Sequence, residues 1–234
     1  MDSAVVFDLW GPLAVYRKFY TNTSILSYAF PPPTAVVGTV GAILGLDRRR
    51  YNKELQDMQV AIELRKPVKK LHTTINYVST VDRKTDLRGG RTQIPIELVK
   101  DPYYRIYLRN VPDKYHQQLV DGLTEHRAVF MPYLGISEML ANFQFVGVYP
   151  VEDVVSTEPV FVNSIVPANV IEPMMLHNNK LGKERIPLLM NEDKQTMRYI
   201  DVAFDMNAKP IPISGSYSVA GVNVKFLTAA SVDL

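Results

Sequence analysis

The 234-residue chain contains no cysteine. That excludes disulfide frameworks, cysteine-ligated zinc, iron–sulfur ligation and a Cys nucleophile. It also lacks a long apolar run. The longest, residues 35–46 (AVVGTVGAILGL), is too short to cross a hydrocarbon core roughly 30 Å thick as a helix. The N-terminus has no basic-then-apolar signal pattern, so a soluble, cytoplasmic protein with no membrane role is expected. Charge of one sign is lacking as well: Lys+Arg 26 against Asp+Glu 24 leaves +2, and bulk charge names no partner. There is no G-x-x-x-x-G-K-[ST], G-x-G-x-x-G, H-E-x-x-H, EF-hand or G-x-S-x-G pattern. The four histidines, His72, His116, His126 and His177, are scattered, so neither a metal nor a cofactor is expected. What is there is ordinary globular material, 47% hydrophobic and 21% charged, in a chain long enough to bury a sizeable core.

The small net charge hides a segregation. Residues 65–91 carry eight basic residues against two acidic ones, a local +6, whereas residues 151–234 carry seven against ten, or −3. A concentrated positive field attracts polyanions and binds them salt-dependently. Within that segment Lys69, Lys70, His72, Tyr77, Arg83, Lys84, Arg88 and Arg91 mix cations with rings. Cations hold backbone phosphates, and rings stack on unpaired bases. The same residue types leave two alternatives open. His72 or Tyr77 with a lysine is the equipment of metal-free RNA cleavage, a base for the 2′-hydroxyl and a cation for the phosphate. A solvated basic loop docking on an acidic protein surface needs no RNA at all.

Periodicity gives the organisation. Residues 4–10 read as a first strand that includes the single Trp10, expected in the core. After Pro31-Pro32-Pro33, residues 35–46 read as a helix buried all round, with Pro33 at its first position or Thr34 as its cap. Gly38, Gly41 and Gly45 share one side of it, which predicts close approach to a sheet. Residues 51–56 form a short helix, 58–64 a strand, 103–109 a strand, 113–127 an amphipathic helix with His116 and His126 on its polar side, and 142–149 a strand. Without the basic insert the order is strand, helix, strand, strand, helix, strand. This predicts an α+β, ferredoxin-like (RRM-like) core over 1–150. Residues 66–95 form a projecting basic hairpin, and 151–234 a small β-rich lobe with short runs at 160–163, 198–204 and 223–228. Residues 103–109 do not match the RRM aromatic signature, so loops and the insert, rather than the sheet face, are the expected RNA platform.

Four ordered blocks carry a family resemblance: FDLWGPLAVYRKFY (residues 7–20), FPPPTAVVGTVGAILGL (30–46), RTQIPIELVKDPYYRIYL (91–108) and YLGISEMLANF (133–143). Together they resemble the CRISPR-associated Cas family number five, with an overall look similar to its subtype I-B branch. The resemblance implies a non-catalytic RNA-binding subunit of Cascade, the RNA-guided surveillance complex of antiviral defence. Such a subunit grips the 5′ handle of the CRISPR RNA (crRNA) and caps the backbone filament. Its protein partners are the backbone and large subunits, and target DNA is met only through the complex. It turns residues 66–95 into the family's thumb. It assigns Arg17, Lys18, Tyr20 and Thr34 to the handle, and Lys69, Lys70, His72, Arg83, Lys84, Arg88 and Arg91 to RNA along the thumb. The subtype I-C branch is instead an endoribonuclease with a Tyr, Lys and His site. That arrangement is not found here at matching positions, although His72 and Tyr77 keep the enzymatic alternative open.

Overall fold

The computed structural model describes residues 2–21, 24–78, 91–172, 176 and 178–228; of Val78 and Arg91 it describes the backbone alone. The chain is mostly strand. It opens with β1 (Ser3–Trp10), β2 (Leu13–Ala14), β3 (Tyr16–Arg17) and β4 (Ser27–Tyr28), then α1 (Pro33–Leu44) and the single turn α2 (Tyr51–Glu54). Next come β5 (Gln59–Leu64), β6 (Lys70–Val78), β7 (Arg91–Lys100), β8 (Tyr103–Arg109), α3 (Asp113–Thr124) and β9 (Asn142–Val154). The remainder holds β10 (Val160–Val162), β11 (Val166–Pro167), β12 (Leu181–Met190), β13 (Thr196–Asp205), β14 (Ile211–Ile213), β15 (Ser216–Val219) and β16 (Val222–Val224). No helix among the described residues is long and apolar enough to cross a membrane.

The main sheet runs β16–β15–β9–β1–β8–β5, with every neighbouring pair antiparallel. β1 is apolar at nearly every position because both faces of the sheet are covered. Val5, Phe7 and Leu9 pack in the cluster that contains α1 and α3, while Ala4 and Val6 pack with Tyr107, Val219 and Phe226. Each fully buried large side chain in that list contributes about 1.5–3 kcal/mol. The face away from the helices also holds a buried polar set. Arg105 donates to both carboxylate oxygens of Asp8 (2.7 and 3.0 Å), Tyr103 donates to Asp8 (3.0 Å), and Tyr107 donates to Glu63 (2.7 Å). Asp8 and Glu63 are buried. Trp10 is only half-buried, stacked on Tyr103 with centroids 5.5 Å apart, so it is not the core residue expected.

α1 departs from the sequence reading in two ways. It is not buried all round: Val36, Val40, Ile43 and Leu44 face the core, while Thr34, Ala35, Gly38 and Ala42 are partly open. Its glycines do not meet a sheet. Gly38 and Gly41 receive the ring of Tyr51, with the space for a Gly41 Cβ only 3.1 Å from that side chain. Gly45 ends the helix at φ +73°, where a Cβ would meet Val129 at 2.7 Å; glycine alone takes that conformation without strain. Pro33 takes the first helical position and Pro32 the cap, so Thr34 is not the cap. His126 lies beyond the end of α3, stacked on Phe143 at 4.6 Å, rather than on the helix.

The expectation of only short β-runs after residue 150 is overturned by β12 and β13, ten residues each. Pro187 concealed β12, yet the strand lies at the edge of the β11–β13–β12 sheet and the pairing register shifts just after Pro187. An edge or a bulge is where a sheet tolerates proline. β15 pairs with the far half of β9, extending the main sheet. Ile186, Ile200, Val202 and Phe204 join the same cluster as α1, with Phe204 edge-on to Phe30 at 5.0 Å.

The basic segment is bounded by a hairpin. β6 pairs with β7 from Lys70↔Val99 to Val78↔Arg91, and β7 pairs with β2. Its base is packed rather than free: Ile96 and Leu98 bury with Val15, against Leu13, Ile25 and Ile75.

Candidate nucleic-acid interface

The candidate site begins at the pairing of β3 with β4. Tyr16–Arg17 pairs with Ser27–Tyr28, and the Lys18 N–H donates to the Leu26 carbonyl. A tight turn follows: the Thr21 N–H and hydroxyl both donate to the Lys18 carbonyl, and Arg17 Nη2 donates to the Thr21 carbonyl at 2.8 Å. The turn lifts Phe19 and Tyr20 into solvent, 53% and 55% exposed. Their rings meet edge-on at 5.2 Å, and Phe19 leans on Tyr199 of β13 at 4.7 Å. The exposed Arg185 of β12 lies over Tyr199 at 5.7 Å. Three rings and two arginines, Arg17 and Arg185, therefore share one surface. Planar groups for stacking beside guanidinium groups for phosphate are the parts a single strand requires.

Beside this surface the predicted lysines are already partnered. Lys18 Nζ donates to both oxygens of Glu184 at 2.6 and 2.8 Å, with both side chains largely covered. Burial pushes the Lys18 ammonium down, but the Glu184 bond and charge outweigh it and hold its pKa above the usual lysine value. Lys70 donates to the Ser27 carbonyl (2.5 Å) and to Glu97 (2.8 Å), and the Ser27 N–H donates to Glu97 (3.1 Å). Burial is the largest influence on Lys70 and leaves its pKa below the usual value. On Glu97 burial is opposed by Lys70, Ser27 and His72, which hold the carboxyl below its ordinary range. His72 sits 3.3 Å from the other Glu97 oxygen and is otherwise open to solvent. The Tyr28 hydroxyl donates to the Arg185 carbonyl at 2.8 Å. Lys18 and Lys70 thus pin the β3–β4 turn to β12 and to β7.

The remaining predicted residues separate. Lys69 is exposed just before β6, and Thr34 lies in the first turn of α1. His72 and Tyr77 are five residues apart on a strand paired without a register shift, so their side chains leave opposite faces. Arg91 begins β7. Arg83, Lys84 and Arg88 lie outside the described residues. Sequence reasoning missed Phe19, Glu97, Glu184, Arg185 and Tyr199. Phe19 was legible as an aromatic neighbour of Tyr20. The other four reach the site through strand pairing, and no local pattern marks them.

The family model described as CRISPR-associated protein (Cas_Cas5) matches residues 4–205. Among solved structures, a chain titled "CRISPR RNA-guided surveillance complex" is similar at 12% identity, with a TM-score of 0.56 over 94% of this chain and 92% of that one. A CRISPR protein from Archaeoglobus fulgidus is similar at 12% identity, with a TM-score of 0.54 over 95% of this chain and 98% of that one. These likenesses speak to the fold. No curated protein matches the chain by sequence.

Proposed function

The chain belongs to the CRISPR-associated Cas_Cas5 family, and from that premise we propose that it is a non-catalytic RNA-binding subunit of a type I surveillance complex, gripping the 5′ handle of crRNA and capping the backbone filament. Its partners on this reading are the handle, the backbone and large subunits, and target DNA through the complex. The observation that carries the reading is the surface of Phe19, Tyr20 and Tyr199 flanked by Arg17 and Arg185. Bases stack on the rings, the arginines take phosphates, and Lys18 and Lys70 act as struts that fix the turn. Lys69 and the basic residues of 66–95 supply further phosphate contacts.

We read β1, α1, β5, β8, α3 and β9 as the ferredoxin-like core. Support comes from the order β9–β1–β8–β5, in which the fourth, first, third and second strands of the split pattern lie side by side. β6 and β7 are then the thumb. Placing RNA at the loops rather than on the sheet is supported by the cover that residues 217–226 and the Asp8–Arg105 pair give the far face. The non-catalytic assignment is supported by the opposed faces of His72 and Tyr77.

The test is a complex co-produced with its operon neighbours and a CRISPR array, carrying Arg17→Ala and Tyr20→Ala. The expected result is loss of copurifying crRNA as salt rises, with the fold intact. Undiminished crRNA across the salt series contradicts the reading. EDTA-resistant cleavage of repeat RNA that His72→Ala abolishes contradicts its non-catalytic part.

A further inference from the structure

A second surface lies on the other side of α1. After α3 the chain runs through residues 125–141 without helix or named strand and is held down along its length. The Val129 N–H donates to the Ile43 carbonyl (3.2 Å) and the Phe130 N–H to the Ala42 carbonyl (3.0 Å). The Leu134 N–H donates to the Met139 carbonyl (2.7 Å), and the Leu134 carbonyl accepts from the Val15 N–H (2.9 Å). Leu134 is fully buried. Gly135 sits at φ +95°, where a Cβ would lie 1.8 Å from the Val15 carbonyl. So fixed a backbone presents chosen side chains, and those it presents are Val129, Phe130, Met131, Tyr133 and Leu140, each 48–68% exposed. A rigid loop that shows five large apolar groups to water marks a surface made to be covered.

Between this loop and α1 runs a groove of about 510 Å³. Its floor is the open side of α1, including Gly38 and Ala42, and its walls are Tyr51 on one side and Phe130, Met131 and Tyr133 on the other. Arg48 and Lys194 stand at its rim, with the exposed Arg49 and Arg50 directly following Arg48. The acidic groups nearby are partly occupied: Asp47 accepts from the Arg49 backbone N–H at 2.7 Å, and Glu192 pairs with Lys53 at 3.1 Å. Asp193 is exposed next to Lys194, and Lys194 is held against Tyr51, its ammonium donating to the phenol at 2.8 Å. The rim is positive on balance and the groove apolar.

From this we infer that the groove docks an amphipathic, acidic segment of another protein subunit, its large apolar side chains seated against Phe130, Met131 and Tyr133 and its carboxylates facing Arg48, Arg49 and Arg50. Charge complementarity names the sign of the partner. The character of the wall names its class. The groove's walls hold three rings, Tyr51, Phe130 and Tyr133, with Met131 among them, and the loop adds the exposed Val129 and Leu140 outside the groove. Rings interleaved with aliphatic and thioether groups suit packing with side chains, whereas a single strand asks for rings and cations alone. Of the residues assigned to RNA only Thr34 lines this groove; Arg17, Phe19, Tyr20, Arg185 and Tyr199 do not, and the inference stands apart from their surface.

The test places the photocrosslinking residue p-benzoylphenylalanine at position 130 in the complex co-produced with its operon neighbours, and maps the adducts by mass spectrometry. The expected adduct is a peptide of a different subunit that carries large apolar residues and Asp or Glu. Arg48→Glu with Arg49→Glu should weaken retention of that subunit about tenfold, leaving crRNA retention at the Arg17 and Tyr20 surface unchanged. A nuclease-sensitive adduct, an adduct with a second copy of this chain, a captured peptide without acidic residues, or no adduct in an assembled complex overturns the inference. Unchanged subunit retention in the double charge reversal overturns it as well.

Discussion

At the scale of single residues, the side chains around the β3–β4 turn divide into those open to a ligand and those that brace the turn. Phe19, Tyr20, Arg17 and Arg185 face solvent, whereas Lys18 and Lys70 end on carboxylates. Phe19→Ala or Tyr20→Ala should each weaken handle binding by about 1–3 kcal/mol, the worth of a base–aromatic stack. Arg17→Ala should lower the magnitude of the salt slope by about 1, the signature of one lost phosphate contact. A binding titration over a salt series checks both. Lys18→Ala acts differently, because it leaves Glu184 part-buried without its partner. The expected loss is stability, about 1–3 kcal/mol, read as a lower denaturation midpoint that the second change Glu184→Ala partly restores. Tyr16 provides a contrast. Its buried hydroxyl has no hydrogen-bond partner among the described residues, and burial, then the neighbouring Tyr104, raises its pKa well above the ordinary value. Tyr16→Phe removes an unsatisfied polar group and should be neutral or stabilising by about 1 kcal/mol.

At the scale of elements, Glu97 ties the base of the β6–β7 hairpin to the β3–β4 turn. Its carboxyl is held below its ordinary value of 4.5. A depressed folded pKa means that the stabilisation is complete above that value and is lost as pH falls through the folded one. Hydrogen exchange at falling pH should therefore loosen the hairpin base before β1 and β8, and Glu97→Gln should abolish that pH dependence. α1 offers a paired test. Gly41→Ala crowds Tyr51 and should destabilise, while Gly38→Ala has 3.6 Å of room and should gain up to about 1 kcal/mol of helix propensity; thermal unfolding of the two variants decides it. Elements with their own periodicity were legible in sequence. The strand at 103–109 matches residue for residue, and α1 and α3 differ from expectation by two or three residues at an end. β12 was not legible, because its proline is tolerated only through an edge position that the chain reveals on folding. Nor was the partner of the α1 glycines, since a short helix that swings Tyr51 over them leaves no pattern within α1 itself.

At the scale of the whole molecule, the tail is bound into the rest. β12 and β13 supply Ile186, Ile200 and Phe204 to the cluster under α1, and β15 lengthens the main sheet. The candidate RNA surface needs both regions, because Phe19 and Tyr20 come from the N-terminal turn, and Tyr199 and Arg185 from residues beyond 180. The first half of the site was legible because cations and rings sit together in one block. The second half was hidden, because a side-chain contact such as that of Phe19 with Tyr199 joins residues far apart in the chain and writes no local signal. The measurement that tests the account most directly is photocrosslinking from a base in the 5′ handle, in a complex assembled with its operon neighbours. The account predicts adducts on this chain at Phe19, Tyr20 or Tyr199, and their loss in Phe19→Ala with Tyr20→Ala. An assembled complex whose handle crosslinks only to other subunits contradicts it.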